Sequence, residues 1–538
     1  MKHVVGIIAL LQALTIWVIA VGCTSPHRQA GHDEAAHTDS IASEEATTEV
    51  PLPDTTYGSA ARIQPAISVF DTITSGTIDS YADPYDAVPG IFTFRGNQER
   101  SAPYVGKLDG TPDSLVTVWK FYTSMDLRAT NHGTWGGGTG WTGQPLYVEW
   151  PDTMAESFRN DTLACATLPS NREVIFASLD GNVYFLDFET GRPSRDTISV
   201  SNPIKGTPML DPLHWSRLYV GHGLLADRAH GWGQLTIDLQ RHRIIHRLLD
   251  DSRAWRSWHA NDASPLRVGQ FVFNVSENGT IYKWLVTPEG RRLHSSMQYR
   301  IDDSVGSGFE ASMSAWRNYG YVNDNHGNLV CVNLDNLRPV WRYDLGDDCD
   351  CTPVVCHEED GTFVYAGCEV DRHPSDSLCR FVKLDALRGD TIWTLQTVSA
   401  RCNKEGKHFD GGYYASSLPG RGNCADLIFN NRVRNLEGQN GELVAIDRRT
   451  GQERYVAPLR HYAWSSPVGF LNERDEFFVL TFDTVGRCYI FDGSSGRILY
   501  SRIVGGNFES SPIVIGDEVV VGSRDGFMYK FRVTTNHY

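Results

Sequence analysis

Near its C-terminal end the chain reads Ser510-Ser511-Pro512-Ile513-Val514-Ile515, then Gly516-Asp517, Val519-Val520-Val521-Gly522-Ser523, Asp525-Gly526 and Met528-Tyr529-Lys530-Phe531. Two apolar runs flank a Gly-Asp pair, and a second turn leads to a third, alternating run. Short β-branched and aromatic runs separated by two-residue turns predict a meander of antiparallel strands. A meander this small cannot bury both of its faces alone, so its neighbours decide the architecture.

The small-x-Pro step of Ser510-Ser511-Pro512 recurs upstream, anchored at Gln144-Pro145, Thr207-Pro208, Ser264-Pro265, Thr352-Pro353 and Ser466-Pro467. Ser312-Met313 and Ser417-Leu418 keep the small residue and lose the proline. This places eight anchors at 145, 208, 265, 313, 353, 418, 467 and 512, or seven blades in place of eight if the Met313 copy is not a unit. A second phrase follows later in each unit. Leu186-Asp187 leads to Gly191, Leu384-Asp385 through Gly389 to Trp393, Ile446-Asp447 through Gly451 to Tyr455, and Phe491-Asp492 through Gly496 to Tyr500. It reads as a strand, a tight Asp-to-Gly turn, and an outer strand whose aromatic packs between neighbouring sheets.

These phrases resemble the Ala-x-Asp-x-x-x-Gly-x-x-x-Trp repeat of the PQQ-type β-propellers, the superfamily of the quinoprotein dehydrogenases and of the BamB lipoproteins of outer-membrane β-barrel assembly. The entry phrase Phe94-Arg95-Gly96-Asn97-Gln98-Glu99-Arg100 resembles the start of such propellers. The resemblance implies an all-β, eight-bladed PQQ-like propeller with four-stranded blades. The last copy supplies only three strands before Tyr538, and Val116-Thr117-Val118-Trp119-Lys120-Phe121 precedes the first anchor without partners of its own. That run is expected to become the outer strand of the last blade, closing the ring and removing an exposed edge. A blade needs roughly 40–45 residues, so the long spacings 145–208, 208–265 and 353–418 mark insertions.

The 49 Lys and Arg against 65 Asp and Glu give a formal charge of −16, which argues against a nucleic-acid surface. After Lys2 an apolar run from Val4 to Val21 ends at Gly22-Cys23. Basic start, apolar core and small residues before a Cys describe a secretory signal over 1–22, and Cys23 resembles the lipidated Cys of bacterial lipoproteins. Thr24 stands where an inner-membrane retention Asp would be, so the expected location is the outer membrane, on its periplasmic face. Residues 23–60 are poor in large apolar side chains and read as a flexible stalk. Residues 61–115 then form an extension packing on the propeller, which fills 116–538.

Three residues before each anchor, side chains are expected at the mouth of the central channel: Thr142, Lys205, Asp262, Glu310, Asp350, Ala415, Trp464 and Glu509. Converging carboxylates suit a cation or a cationic or hydroxyl-rich ligand; the plainer alternative is a solvated acidic rim. Eight of the 11 cysteines lie between Cys331 and Cys424. Outside the cytoplasm an even set reads first as disulfides, with buried free thiols as the alternative. Aligning the blades at 353 and 512 places Cys351 opposite Cys368, the one disulfide expected. No Cys-x-x-Cys supports a metal site, and none is expected. Quinoprotein dehydrogenases carry two adjacent cysteines beside the quinone; this chain has none. The expected function is therefore a lipid-anchored, non-catalytic binding or scaffolding module with protein partners in the cell envelope and no cofactor. A PQQ- and Ca²⁺-dependent oxidoreductase and a small-ligand or glycan-binding surface lipoprotein are the alternatives.

Overall fold

The structure is a computed structural model. It describes residues 58–536 apart from 72–81, 129–133, 135, 141–142, 225–230, 303–305, 372–377, 400–401, 405–406, 410 and 434–439. Cys23, the signal segment, the stalk as far as residue 57 and Thr142 lie outside the described residues.

Eight antiparallel sheets of four or five strands follow one another along the chain as the blades of a ring. The Met313 copy is a true unit, with strands Ser314–Trp316, Tyr319–Asn323, Asn328–Asn333 and Arg338–Asp344. The long 145–208 spacing holds a helix, Asp152–Asn160, between the first two long strands of blade 1. Closure follows the sequence argument: Thr111–Tyr122 pairs antiparallel with Phe527–Asn536 and completes blade 8.

The Asp-to-Gly phrase does two jobs. In blade 5 the Asp385 carboxylate accepts from the N–H of Leu387 and Arg388, and Gly389 N–H closes the turn on Asp385 O at 2.8 Å. Gly389 has φ +72°, and its bare Cα face lies against the indole of Trp341 from blade 4. Trp341 Nε1 donates to Ala386 O at 3.1 Å. The same wedge joins Trp393 to Gly451 and Tyr455 to Gly496. Trp119 of the closing strand meets Gly191 of blade 1 in the same way. The closing strand therefore carries blade 8's own copy of the outer-strand aromatic.

A second ring of bonds explains why the residue before each anchor from blade 2 onward is Ser or Thr. The hydroxyl of one blade accepts from the backbone N–H of the blade before it: Gln144 to Thr207, Ser264 to Ser312, Ser312 to Thr352, Ser416 to Ser466 and Ser466 to Ser511, all at 2.8–3.2 Å. In blade 6 the donating N–H is that of Ser416 and the inner strand starts at Leu418. The anchor there is Ser417, one residue earlier than the sequence alignment placed it.

The extension before the propeller is interwoven with the blades. The described chain begins with a 3₁₀ turn, Gly58–Arg62, whose Ala60 is buried, so residues 58–60 belong to the folded body rather than to the stalk. Ile63–Val69 adds a fifth strand to the outside of blade 3, Gly90–Ile91 adds one to blade 1, and Tyr104–Val105 pairs parallel with blade 8. Between them, Phe92–Ser101 threads the middle of the ring. Arg95 and Arg100 are fully buried, and backbone carbonyls receive their guanidinium groups. Arg95 donates to Ser417 O and Pro467 O, and Arg100 to Met313 O and Ser264 O. Leu210 N–H donates to Phe92 O and Val355 N–H to Glu99 O, and Arg95 N–H donates to Gln144 Oε1. Together with Tyr104 beside Val514, the segment Phe92–Val105 bonds to all eight blades.

Cys165, Cys331, Cys349, Cys351, Cys356, Cys368, Cys379, Cys424 and Cys488 are free thiols, and all of them but Cys165 are buried, which corrects the Cys351–Cys368 expectation. The register expected for blade 5 is present, with Cys356 opposite Phe363. The ladder stops at Val354 opposite Tyr365, because Pro353 has no N–H to continue it. Beyond that point Cys351 O accepts from Asn323 of blade 4, while Cys368 Sγ accepts from Arg380 N–H at 3.2 Å. The two residues follow different neighbours and no Cys351–Cys368 bond forms. Burial pushes the thiols of Cys351, Cys356, Cys368 and Cys379 up to about 12, as for small apolar side chains without reactivity.

Candidate functional site

The residues just before each inner strand form a row that is small in every blade: Gly143, Gly206, Ala263, Ala311, Cys351, Ala415, Ser465 and Ser510. The ring is tight there. A Cβ on Gly206 would stand 1.9 Å from Asp262 O, and one on Gly143 would stand 2.4 Å from Lys205 O. The residue before each member of this row stands at the channel mouth, beside its neighbours from the adjacent blades.

With blade 6 in its observed register, Tyr414 takes the mouth position assigned above to Ala415, which belongs to the small row. A small pocket opens at the mouth, lined by Asp262, Glu310, Asp350, Tyr414 and Trp464, with Phe94 of the central segment also on its wall. Lys205 reaches the same cluster: its Nζ pairs with Asp262 Oδ2 and lies 3.7 Å from Glu277 Oε1. Glu509 does not join these residues at the pocket. Its carboxylate is held by Arg524 at 3.1 Å and Asn507 at 2.8 Å. Sequence reasoning missed Glu277, which follows the second strand of blade 3 and receives Trp258 Nε1–H at 2.7 Å.

Burial and mutual repulsion set the charges. Burial raises the Asp262 carboxyl, against the pull of Lys205. Burial, with Asp262 adding to it, raises Glu277 to about 8, so Glu277 carries its proton at neutral pH. Burial, then Glu310 and Asp348, push Asp350 well above the usual carboxylate range. Burial opposes the Lys205 charge, but Asp262, Glu277 and Glu310 outweigh it and hold the ammonium. Asp262, Glu277 and Glu310 each offer an oxygen within 4.8 Å of the others, a spacing a hard cation accepts. In this protein the Lys205 ammonium stands among them. Opposite the acids, Tyr414 and Trp464 stack with ring centroids 5.3 Å apart and planes 26° apart.

Ring, wedge and channel mouth define a PQQ-type β-propeller with a polar and aromatic pocket on its axis. A family model described as outer membrane protein assembly factor BamB matches residues 249–461 and 439–536, and the chain belongs to that family. Among solved structures it is similar to BamB from Moraxella catarrhalis, at 16% identity over 79% of this chain and 99% of that one, with a TM-score of 0.50. It is also similar to the quinohemoprotein alcohol dehydrogenase from Comamonas testosteroni, at 13% identity over 86% and 84%, TM-score 0.57. Quinohemoprotein alcohol dehydrogenase ADHIIG from Pseudomonas putida HK5 matches at 11% identity over 86% and 82%, TM-score 0.56. At these identities the likeness carries the fold alone. No curated protein matches the chain.

Proposed function

We propose that this chain is a lipid-anchored, periplasm-facing propeller of the outer membrane that acts as a non-catalytic binding or scaffolding module, with protein partners in envelope assembly. Its family membership supports the envelope role, and the Gly22-Cys23 junction supports the anchor. The observation that carries the non-catalytic reading is the charge of the channel mouth. Pyrroloquinoline quinone is a tricarboxylate, and the described lining holds Asp262, Glu310 and Asp350 with no Arg or Lys. Lys205, whose ammonium reaches the same cluster, is already paired with Asp262. These residues do not suit an anionic quinone, and the adjacent cysteines of quinoprotein dehydrogenases are absent from the sequence.

Crosslinking in intact envelopes followed by affinity capture tests the scaffold reading; it should recover envelope assembly proteins with the wild-type chain. Cys23→Ser should abolish palmitate labelling and leave an uncleaved precursor. Incubating the purified protein with PQQ and Ca²⁺ should give no bound chromophore and no dye reduction. Quinone-dependent dye reduction would overturn the non-catalytic reading.

A further inference from the structure

The outer strand of a propeller blade is a sheet edge, and its outward N–H and C=O groups are a template for pairing with another chain. Proteins guard such edges with charge, proline, brevity or cover. Seven of the eight blades do so here. In blade 3, Gly290–Ile301 is covered by Ile63–Val69, and blade 1 ends in a strand of two residues, Ile198–Ser199. The outer strands of blades 2, 4, 6, 7 and 8 carry Arg247, Arg342, Pro458, Arg502 and Lys120. Blade 5 is the exception. Its outer strand, Thr391–Val398, reads Thr-Ile-Trp-Thr-Leu-Gln-Thr-Val, without charge or proline, and among the described residues no fifth strand pairs with it.

The register fixes which backbone groups are free. Arg380 faces the inner side of the blade, since its N–H bonds to Cys368 Sγ and its O accepts from Cys368 N–H. Alternation turns Cys379 and Phe381 the other way, toward their partners Thr397 and Leu395. The N–H and C=O groups of Thr394, Gln396 and Val398 therefore point off the sheet. Thr394 and Gln396 are exposed, and Val398 is 42% exposed. A bulge at Ile392 precedes this stretch, but the outer strands of blades 2 to 8 all have one at the same place.

The chain itself shows what such an edge accepts. Ile63–Val69, Ile-Gln-Pro-Ala-Ile-Ser-Val, is extended and uncharged, and it pairs antiparallel with seven residues of blade 3's outer strand. On blade 5 an added strand would continue two rows of side chains. Trp393 and the partly buried Leu395 form an apolar row, and Thr394 and Gln396 a polar one. A matching segment alternates in the same way. A second copy of this chain suits the edge poorly, because each copy carries a charge of −16 and like charges repel. A single strand pair also falls short of the about 1,200 Å² that a stable interface buries, whereas it is enough for transient docking of an extended segment.

We propose that the outer edge of blade 5 takes an extended, uncharged segment of another polypeptide, alternating apolar and polar residues, as an added antiparallel strand. Main-chain bonds to Thr394, Gln396 and Val398 hold the segment, and its side chains set the preference. The proposal deepens the scaffold reading by naming the chemistry of a partner, and it fails separately. Envelope proteins captured by crosslinking, with no strand binding at blade 5, would leave the scaffold reading standing and remove this surface.

The probe is an end-blocked Thr-Val-Thr-Ile-Thr-Val peptide with a short polyethylene glycol handle and a fluorophore. It is added to the full chain and followed by anisotropy and by hydrogen–deuterium exchange. Saturable binding that slows exchange in the peptic fragment spanning 391–398 supports the proposal, and this readout needs no variant. The fully N-methylated peptide, which has no N–H to donate, should not bind. Gln396→Pro removes an outward N–H and leaves the ladder to the rest of the blade intact, so it should weaken binding at least tenfold. Added salt should leave the affinity unchanged, since no charges meet. No saturable binding, slowed exchange only outside 391–398, or equal affinity in Gln396→Pro would overturn the proposal. Concentration-dependent dimerisation that Gln396→Pro abolishes would also overturn it, by giving the edge to a second copy.

Discussion

Replacing Gly389 by Ala should damage the ring far more than the same change at Gly516, although both residues lie in the left-handed region, at φ +72° and +62°. At Gly516 an added Cβ meets nothing within 4 Å, so Gly516→Ala costs only the backbone term, about 1 kcal/mol. At Gly389 the Cβ would stand 2.6–2.9 Å from three atoms of the Trp341 indole. Trp341 is fully buried and cannot retreat without losing its hydrogen bond to Ala386 O. Overpacking adds about 1–3 kcal/mol and the lost bond about 1 kcal/mol, so Gly389→Ala should cost about 3–5 kcal/mol. Equilibrium urea unfolding of both variants measures the difference. Trp341→Leu combined with Gly389→Ala should show a favourable coupling of about 1–2 kcal/mol, since the clash has gone. Equal costs for the two glycine variants, or no coupling with Trp341, would refute the inter-blade wedge as the reason for the Asp-x-x-x-Gly phrase.

Glu277, facing Asp262, Lys205 and Trp258, binds a proton in the folded chain up to about pH 8, whereas an unfolded Glu releases it near 4.5. The folded state therefore holds more protons between these values, and stability should fall as pH rises through them, by a few kcal/mol. Glu277→Gln should flatten that decline, read as the wild-type-minus-variant difference in unfolding free energy at pH 5 and pH 8; a constant difference would contradict the buried proton. Removing residues 1–121 should prevent a closed ring, because Phe527–Asn536 and the eight blade contacts of the central segment lose their partners. Removing 1–57 should leave the thermal midpoint within about 1 °C, and scattering or circular dichroism would show either expectation failing. Alkylation of the unfolded chain without reductant should modify both Cys351 and Cys368; a disulfide-linked peptide would show that the blade-5 geometry is wrong.

Repetition made the fold legible. Eight imperfect copies of two phrases located the blades, and the lone strand at Val116–Phe121 announced the closure. The channel-mouth row was legible where proline fixed the register, at Asp262, Asp350 and Trp464, and at Glu310, where Met313 stands in the proline's place. In blade 6 the proline is missing, and a one-residue slip put Ala415 where Tyr414 stands. The row of small residues ending in Ser510 would have corrected it, because only a small residue fits where blades approach within contact. The central segment was not legible in this way. Arg95 and Arg100 bond to carbonyls from blades 3, 4, 6 and 7, and a backbone oxygen leaves no mark in a sequence. Glu277 and the missing disulfide were hidden likewise, since each depends on what lies across a blade boundary or where a ladder ends.

The strand that closes the ring has a consequence for how the molecule comes into being. Ser114 meets Thr534 across a separation of 420 residues, and the segment just before this strand holds every blade. Synthesised early, the closing strand has no partner until the final blade exists, so the ring cannot lock behind the ribosome as it is made. Pairing this distant in sequence is slow to form, and until it forms, a bare strand edge is open at each end of the arc. The arc and the ring thus differ by a single late event, which makes assembly nearly all-or-none and leaves the unfinished chain open to capture until its last residues arrive.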